Sequence, residues 1–405
     1  MRICVVGGIF DRVDADSHRG TGRYTPETIL VDGLRERGHE IDALGHADFK
    51  ISPSHELIHV HHVGRAAYLM ASTATRTPFV FTAHDGRMLC GQEHNPIRKA
   101  AFARIVSRCD AAIALSEAEA RFLSAMAHDR VHVVPNGIPD PWTTQEPLRA
   151  ADGRSGLLFI GQLIPLKGVH TLVRALGMIH RDPPVQLRLV YHVGVEEQAL
   201  RALARAVGVA DQVAFLGPRS PERIAQLVAT AEALVLPTFA ESLPTVITEA
   251  LLAGTPVVAS GVGGIPEQLG PHGRLVSPGE PAELAAAIQA ILDTPPDAAA
   301  RSRMRDYARA RYSIRAMIEG HLRLYETLAR VGASPRRGRG VLDSVLRFAV
   351  ASYWRKPRGP VRAQRQAAAS GARTLGPCDG CSDWTPVGSM PADLSRREAA
   401  LGGRH

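Results

Sequence analysis

Two glutamates eight residues apart, Glu241 and Glu249, lie where the chain changes from a strand pattern to a helix pattern. The apolar run 233–236 reads as a buried strand and 245–253 as a helix. Glu241 therefore falls in the loop at the strand's carboxyl end, and Glu249 one turn into the helix. Open parallel sheets bind ligands outside those strand ends. Two carboxylates there can accept hydrogen bonds from the hydroxyls of a sugar or a ribose. Taken alone, they read equally well as solvated charges in the first turns of a helix.

Other loops carry complementary groups. After the first strand come Gly7 and Gly8, then His18-Arg19-Gly20-Thr21-Gly22-Arg23 before a helix, so Gly20 and Gly22 would let backbone N–H groups approach a phosphate. The segment from Gly161 to Gly168 again joins a strand to a helix and holds Gln162 and Lys167. Lysine occurs only four times, at 50, 99, 167 and 356, and a compact ammonium at a helix start suits a diphosphate. The helix holding Glu249 offers the N–H groups of Thr245 and Val246 to an anion, while Pro244 has none. A fourth loop runs from Gly261 to Glu267, with Pro266 placed as a first helical residue. Thr82-Ala83-His84-Asp85-Gly86 ends another strand, and His84 there can exchange a proton or hydrogen bond with a reacting hydroxyl.

Metal binding is not expected. His59, His61 and His62 lack a second His or Cys pair at structural-site spacing, Asp14 and Asp16 form a commonplace triplet with Ala15, and Cys378 and Cys381 have no second pair. No cofactor is expected either.

The net charge of +8 is a property of one end. Residues 331–405 carry 13 basic and 5 acidic side chains, whereas residues 1–330 carry 35 of each. A neutral body argues against a nucleic-acid-binding face, as does the 5% aromatic content. Five cysteines, at 4, 90, 109, 378 and 381, give no disulfide framework. The chain opens into a strand pattern without signal-peptide zones, and no apolar run reaches membrane-span length. The expectation is a cytoplasmic protein.

The elements that must position these groups alternate. Strands are expected at 2–6, 40–44, 57–61, 79–83, 111–115 and 131–134, and again at 157–160, 187–191, 212–216, 233–236, 256–259 and 274–276. Helical patterns lie between them, one opening with a capping box from Ser116 to Glu119. This order predicts an α/β protein with two doubly wound, Rossmann-like parallel-sheet domains facing across a cleft. The first domain spans 1–140, a linker 141–155 and the second domain 156–300. Helices at 301–330 are expected to pack back toward the first domain. A basic tail, 331–405, holds an amphipathic pattern at 341–356, suited to an anionic membrane surface, and 357–405 reads as disordered.

In this order the segments resemble the family-4 glycosyltransferases of GT-B fold, over about residues 1–330. Leu236-Pro237 through Glu249-Ala250 resembles the family's Glu-seven-residues-Glu motif, followed by the matching run 253–259. Val134-Pro135-Asn136-Gly137-Ile138 and Arg37-Gly38-His39-Glu40-Ile41 are similar to two further family segments. The resemblance implies retaining, metal-independent transfer of a hexosyl or N-acetylhexosaminyl group from a nucleotide-diphosphate sugar to a hydroxyl acceptor, which could be a glycan, a lipid-linked sugar or a small molecule. It implies that Glu249 binds the donor ribose, Glu241 the sugar hydroxyls and Lys167 the diphosphate. Gly20 to Gly22 would approach that diphosphate from the first domain, and His84 would lie beside acceptor and donor sugar. Two departures stand out. Gln162 replaces the family's usual arginine, leaving Arg23 or Arg87 to compensate. Tyr191-His192-Val193-Gly194-Val195 replaces a glycine-rich segment near the base pocket. A nucleotide-sugar 2-epimerase of the same fold, or an inactive nucleotide-sugar-binding protein, are the alternative readings.

Overall fold

The computed structural model describes residues 1–11, 25–50, 52–73, 75–141 and 154–333. Gly20, Gly22, Arg23, the metal-triplet residues Asp14 and Asp16, Cys378 and Cys381, most of the linker and the tail with its amphipathic pattern lie outside them.

The fold class is the one the sequence predicts: two six-stranded parallel sheets clad by helices. The first comprises β1 (Arg2–Val6), β2 (Glu40–Leu44), β3 (Leu57–His61), β4 (Phe79–Thr82), β5 (Ala111–Ala114) and β6 (Val131–Val133) in the order β2-β1-β3-β4-β5-β6. The second comprises β7 (Leu157–Ile160), β8 (Leu187–Val190), β9 (Val213–Gly217), β10 (Ala233–Leu236), β11 (Val257–Ser260) and β12 (Gly273–Val276) in the order β12-β11-β10-β7-β8-β9. The strand order reverses between β1 and β3 in the first sheet and between β7 and β10 in the second. A crevice forms at each such switch point because the flanking loops leave in opposite directions.

The helices are α1 (Pro26–Arg35), α2 (Arg65–Ser72), α3 (Gly86–Leu89), α4 (Pro96–Arg108) and α5 (Glu117–Ala127) in the first half. In the second they are α6 (Val169–Leu176), α7 (Glu197–Ala206), α8 (Pro221–Thr230), α9 (Thr245–Ala253), α10 (Ile265–Leu269), α11 (Pro281–Asp293), α12 (Ala298–Arg311) and α13 (Ile314–Val331).

The central strands are short buried runs because both sheet faces are covered there. Along β1, Ile3 and Val5 join Leu30, Leu34, Ile318 and Tyr325 on one face, and Cys4 and Val6 join Ile58, Val60 and Phe81 on the other. Ile318 and Tyr325 belong to α13, so the last described helix lies in the core of the first sheet. The chain enters α13 through Tyr312 and Ser313, where Ile138 bridges to Ser313 and donates its N–H to the Tyr312 carbonyl at 3.2 Å.

Packing of α13 on α1 is close at Gly33, where a Cβ would overlap the Ile318 side chain. Gly33→Val should therefore push α13 off the sheet and cost about 1–3 kcal/mol. The expected readout is a lower urea midpoint, and an unchanged midpoint would contradict this packing.

Candidate functional site

The two loops that leave the β7/β10 switch point are sewn together. The Leu166 carbonyl accepts from Phe239 N–H at 2.8 Å and from the Thr238 hydroxyl at 3.1 Å. Gly168 turns with φ +66°, and any Cβ there would overlap the Pro237 carbonyl oxygen. Only glycine tolerates both demands. This stitching brings Lys167 and Glu241 into a salt-bridged hydrogen bond, with both side chains largely withdrawn from solvent.

Helix α9 follows directly. Pro244 precedes it and supplies no side-chain cap. Of its nine residues only Thr245 and Glu249 keep partial exposure, four apart on one helix face. Burial nonetheless raises the Glu249 carboxyl to about 7. Gln268, fully buried, donates to the Pro244 carbonyl at 2.9 Å and to Thr248 Oγ1 at 2.8 Å, fixing the start of the helix. The loop after β8 joins the same edge: Leu163 N–H donates to the Val193 carbonyl at 2.8 Å, and Tyr191 donates its hydroxyl to Glu197 Oε2 at 2.5 Å.

The first sheet presents histidines at its own switch point. Leu57, His59 and His61 share one face of β3. His61 Nδ1 lies 2.9 Å from His84 Nε2, and His62 Nε2 lies 2.7 Å from Glu27 Oε1, in the first turn of α1. His59 is held from below by the Tyr325 hydroxyl at 2.6 Å and by Thr82 Oγ1 at 2.8 Å. His62 and His84 have φ of 66° and 48°, and are the two non-glycine residues with positive φ among those described. Such backbone strain persists only where surrounding contacts enforce it. Beside His84 the contact is Asp85, which caps α3 through Met88 N–H at 3.1 Å and pairs with Arg98 at 2.8 Å.

Burial keeps these rings neutral. It lowers His84 to about 3, with the neighbouring His62 adding to the effect, and holds His59 and His61 well below the usual histidine range. Burial alone would raise the Glu27 carboxyl, but the His62 hydrogen bond and the histidines around it bring it well below the usual range. His59, His61 and His84 are therefore neutral imidazoles beside one buried carboxylate.

The two halves meet at Glu241 and Ser242. A Cβ on Gly86 would come within 2.5 Å of the Glu241 carbonyl carbon, so that glycine lets α3 press against the opposite loop. Cys90 Sγ lies 3.7 Å from the Glu241 carbonyl oxygen. Ser242 donates its hydroxyl to Glu119 Oε2 at 2.9 Å, and Glu117 N–H donates to Glu267 Oε2 at 2.7 Å. The expected capping box is half present. Ser116 Oγ accepts from Glu119 N–H at 3.1 Å, but the Glu119 carboxyl reaches past Ser116 to the Leu115 N–H at 2.8 Å. That extra reach lets it serve Ser242 as well.

The structure thus brings Lys167, Glu241, Thr245, Val246 and Glu249 to one switch point, and places His84 two residues from the glycine that abuts Glu241. Gln162, half-buried, sits on the same edge directly after β7 and Gly161. Arg87, one candidate for its missing charge, lies 3.5 Å from Glu93. Glu27, His61, Glu119 and Ser242 had not been singled out as site residues. Glu27 carried no site signal of its own and Glu119 read as a cap, and only the strand order reveals their partners.

Comparison with known proteins agrees with this architecture. Residues 140–311 match the family described as Glycosyl transferases group 1, and residues 50–140 that described as Glycosyltransferase Family 4. The D-inositol 3-phosphate glycosyltransferase of Nocardia farcinica is 32% identical over 266 residues, 59% of this chain and 59% of its own. The enzyme of that name from Actinosynnema mirum is 32% identical over 280 residues, 62% of this chain and 67% of its own. Anabaena HepE, solved in complex with UDP and glucose, is similar in fold at a TM-score of 0.62 and 23% identity, over 82% of this chain and 100% of that one. Fold and site define a GT-B protein with two Rossmann-like domains. The chain belongs to the family-4 glycosyltransferases. It spans about three fifths of the length of the curated relatives it matches first.

Glu119 gives the contact between the halves a pH signature. Burial raises its carboxyl to about 7, against the pull of the Leu115 and Ser242 hydrogen bonds. An unfolded glutamate titrates near 4.3. Between those values the folded protein keeps a proton that the unfolded chain has lost, so stability falls as pH rises through the window and levels off above it. From about pH 4 to about pH 8, wild type should lose on the order of 3 kcal/mol relative to Glu119→Gln in urea unfolding. Parallel profiles for the two proteins would contradict this.

Proposed function

We propose that the chain transfers a hexosyl group from a nucleotide-diphosphate sugar to a hydroxyl acceptor, with retention at the anomeric carbon and without a resident metal. The observation that carries this reading is the Lys167–Glu241 pair at the β7/β10 switch point, set opposite the His84 loop. A departing diphosphate needs fixed positive charge, and Lys167 supplies it where a helix also begins. Glu241, already bonded to Lys167, accepts from hydroxyls of the transferred sugar. Glu249 in its ionised form accepts from two ribose hydroxyls. His84, held neutral, can accept a hydrogen bond from a sugar or acceptor hydroxyl as charge develops at the anomeric carbon. The Anabaena protein's complex with UDP and glucose supports a uridine donor. The relatives' name makes D-inositol 3-phosphate the first acceptor to try, and favours transfer over epimerisation. The excess basic charge of residues 331–405 supports action at the cytoplasmic face of an anionic membrane.

Lys167→Ala should lower kcat/KM for the donor by roughly 100- to 1,000-fold, the loss seen when one oxyanion donor is removed. Donor affinity in wild type should rise as pH increases through about 7, where Glu249 ionises, and this rise should vanish in Glu249→Gln. The product should keep the donor's anomeric configuration by proton NMR. Transfer unaffected by both substitutions would refute the site assignment. Full-length protein should sediment with anionic liposomes more than a 1–335 truncation, and equal pelleting would end the membrane reading.

A further inference from the structure

We propose that Glu27, His61 and His84 form a binding site for one divalent transition-metal ion of the zinc type, whose occupancy inhibits transfer. The three come from separate places, the first turn of α1, the end of β3 and the loop after β4. Each offers a donor atom within 4.8 Å of the other two. Two imidazoles and one carboxylate form the three-ligand set of an open zinc site, with bonds of about 2.0–2.2 Å that place tetrahedral donors roughly 3.4 Å apart. His61 Nδ1 and His84 Nε2 already face each other at 2.9 Å. Small side-chain shifts therefore close the set around an ion.

The donors are withdrawn from solvent. His61 is 2% exposed, and its ring makes no hydrogen bond besides the one to His84, Nε2 being unpartnered. Glu27 is 5% exposed, and its hydrogen-bonded neighbour His62 remains 43% exposed at the side chain. His62 also stands where an outer-shell partner orients a metal-bound carboxylate. Imidazole donors favour zinc, copper, nickel or cobalt over magnesium or calcium.

The inhibitory part rests on the transferase reading above. A metal on His84 fixes its ring and places two positive charges beside the carbon where positive charge develops during transfer. Binding itself does not depend on that reading.

The test uses full-length, tag-free protein stripped of metal and titrated with Co2+. One equivalent should give the strong visible absorption of four-coordinate cobalt, displaced by Zn2+. His61→Ala and Glu27→Gln should each weaken binding by roughly 100-fold or more, while His180→Ala, an exposed histidine, leaves it unchanged. If the first two variants do not fold by circular dichroism, X-ray absorption of zinc-loaded wild type decides, with scattering from two imidazoles expected. Absence of the band, survival of the band in both folded variants, or a spectrum without two imidazoles would overturn the site. Zn2+ should suppress transfer in step with occupancy, and chelation should restore it. Transfer by chelated enzyme with no metal bound at any concentration would remove this site and leave the transferase reading standing. Tight metal binding without transfer under any condition would do the reverse.

Discussion

The structure turns on the approach of two backbones, at Gly86 on one side and Glu241–Ser242 on the other. Neither sheet alone makes a site, because each switch point supplies half of one. The second sheet contributes a lysine and carboxylates, and the first contributes neutral histidines. They face each other because Gly86 has no side chain to hold the loops apart. The Ser242–Glu119 hydrogen bond and the Glu117–Glu267 contact then fasten the same seam. A seam of a few hydrogen bonds around glycine is what a cleft that opens for substrate requires, since domain motion must cross a low barrier.

Charge is distributed unevenly across that seam. The second sheet's side holds one lysine already committed to Glu241 and, directly after β7, the uncharged Gln162. On the proposed transferase reading, leaving-group stabilisation would lean on Lys167 more heavily than in a site with two cations. The histidine side carries almost no positive charge despite its composition, because burial suppresses protonation of His59, His61 and His84. It resembles a hydrogen-bonding surface rather than a second cationic patch. Tyr325 of α13 supports it from beneath through His59, so the returning helix braces the site as well as the core.

Much of the fold was legible because strands buried on both faces must be apolar runs, and the central strands of both sheets are such runs between turn signals. Observed strand ends differ by one residue at places such as Ala83, Leu115 and Tyr191, where the carboxyl end bends into a loop. That Lys167 and Glu241 share one edge was legible because each falls in a loop at the carboxyl end of an apolar strand run. Glu27 and His61 were not, since their proximity depends on the order β2-β1-β3-β4, which local pattern does not encode. Glu119 shows the limit differently. Its local role was read as a cap, and its partner Ser242 lies 123 residues away. The grouping of His61 with Glu27 and His84 is equally invisible to sequence spacing, because two of its three members come from other elements.

The central claim is that one cleft, built from both switch points, holds a nucleotide sugar. Hydrogen–deuterium exchange of the whole protein with and without UDP-glucose, and with other nucleotide hexoses in turn, tests it most directly. The account predicts that one donor protects residues 161–173 and 241–251 together, with added protection at 82–90 across the seam. Slowed exchange in only one of the two halves, or no protection by any nucleotide sugar, would contradict it.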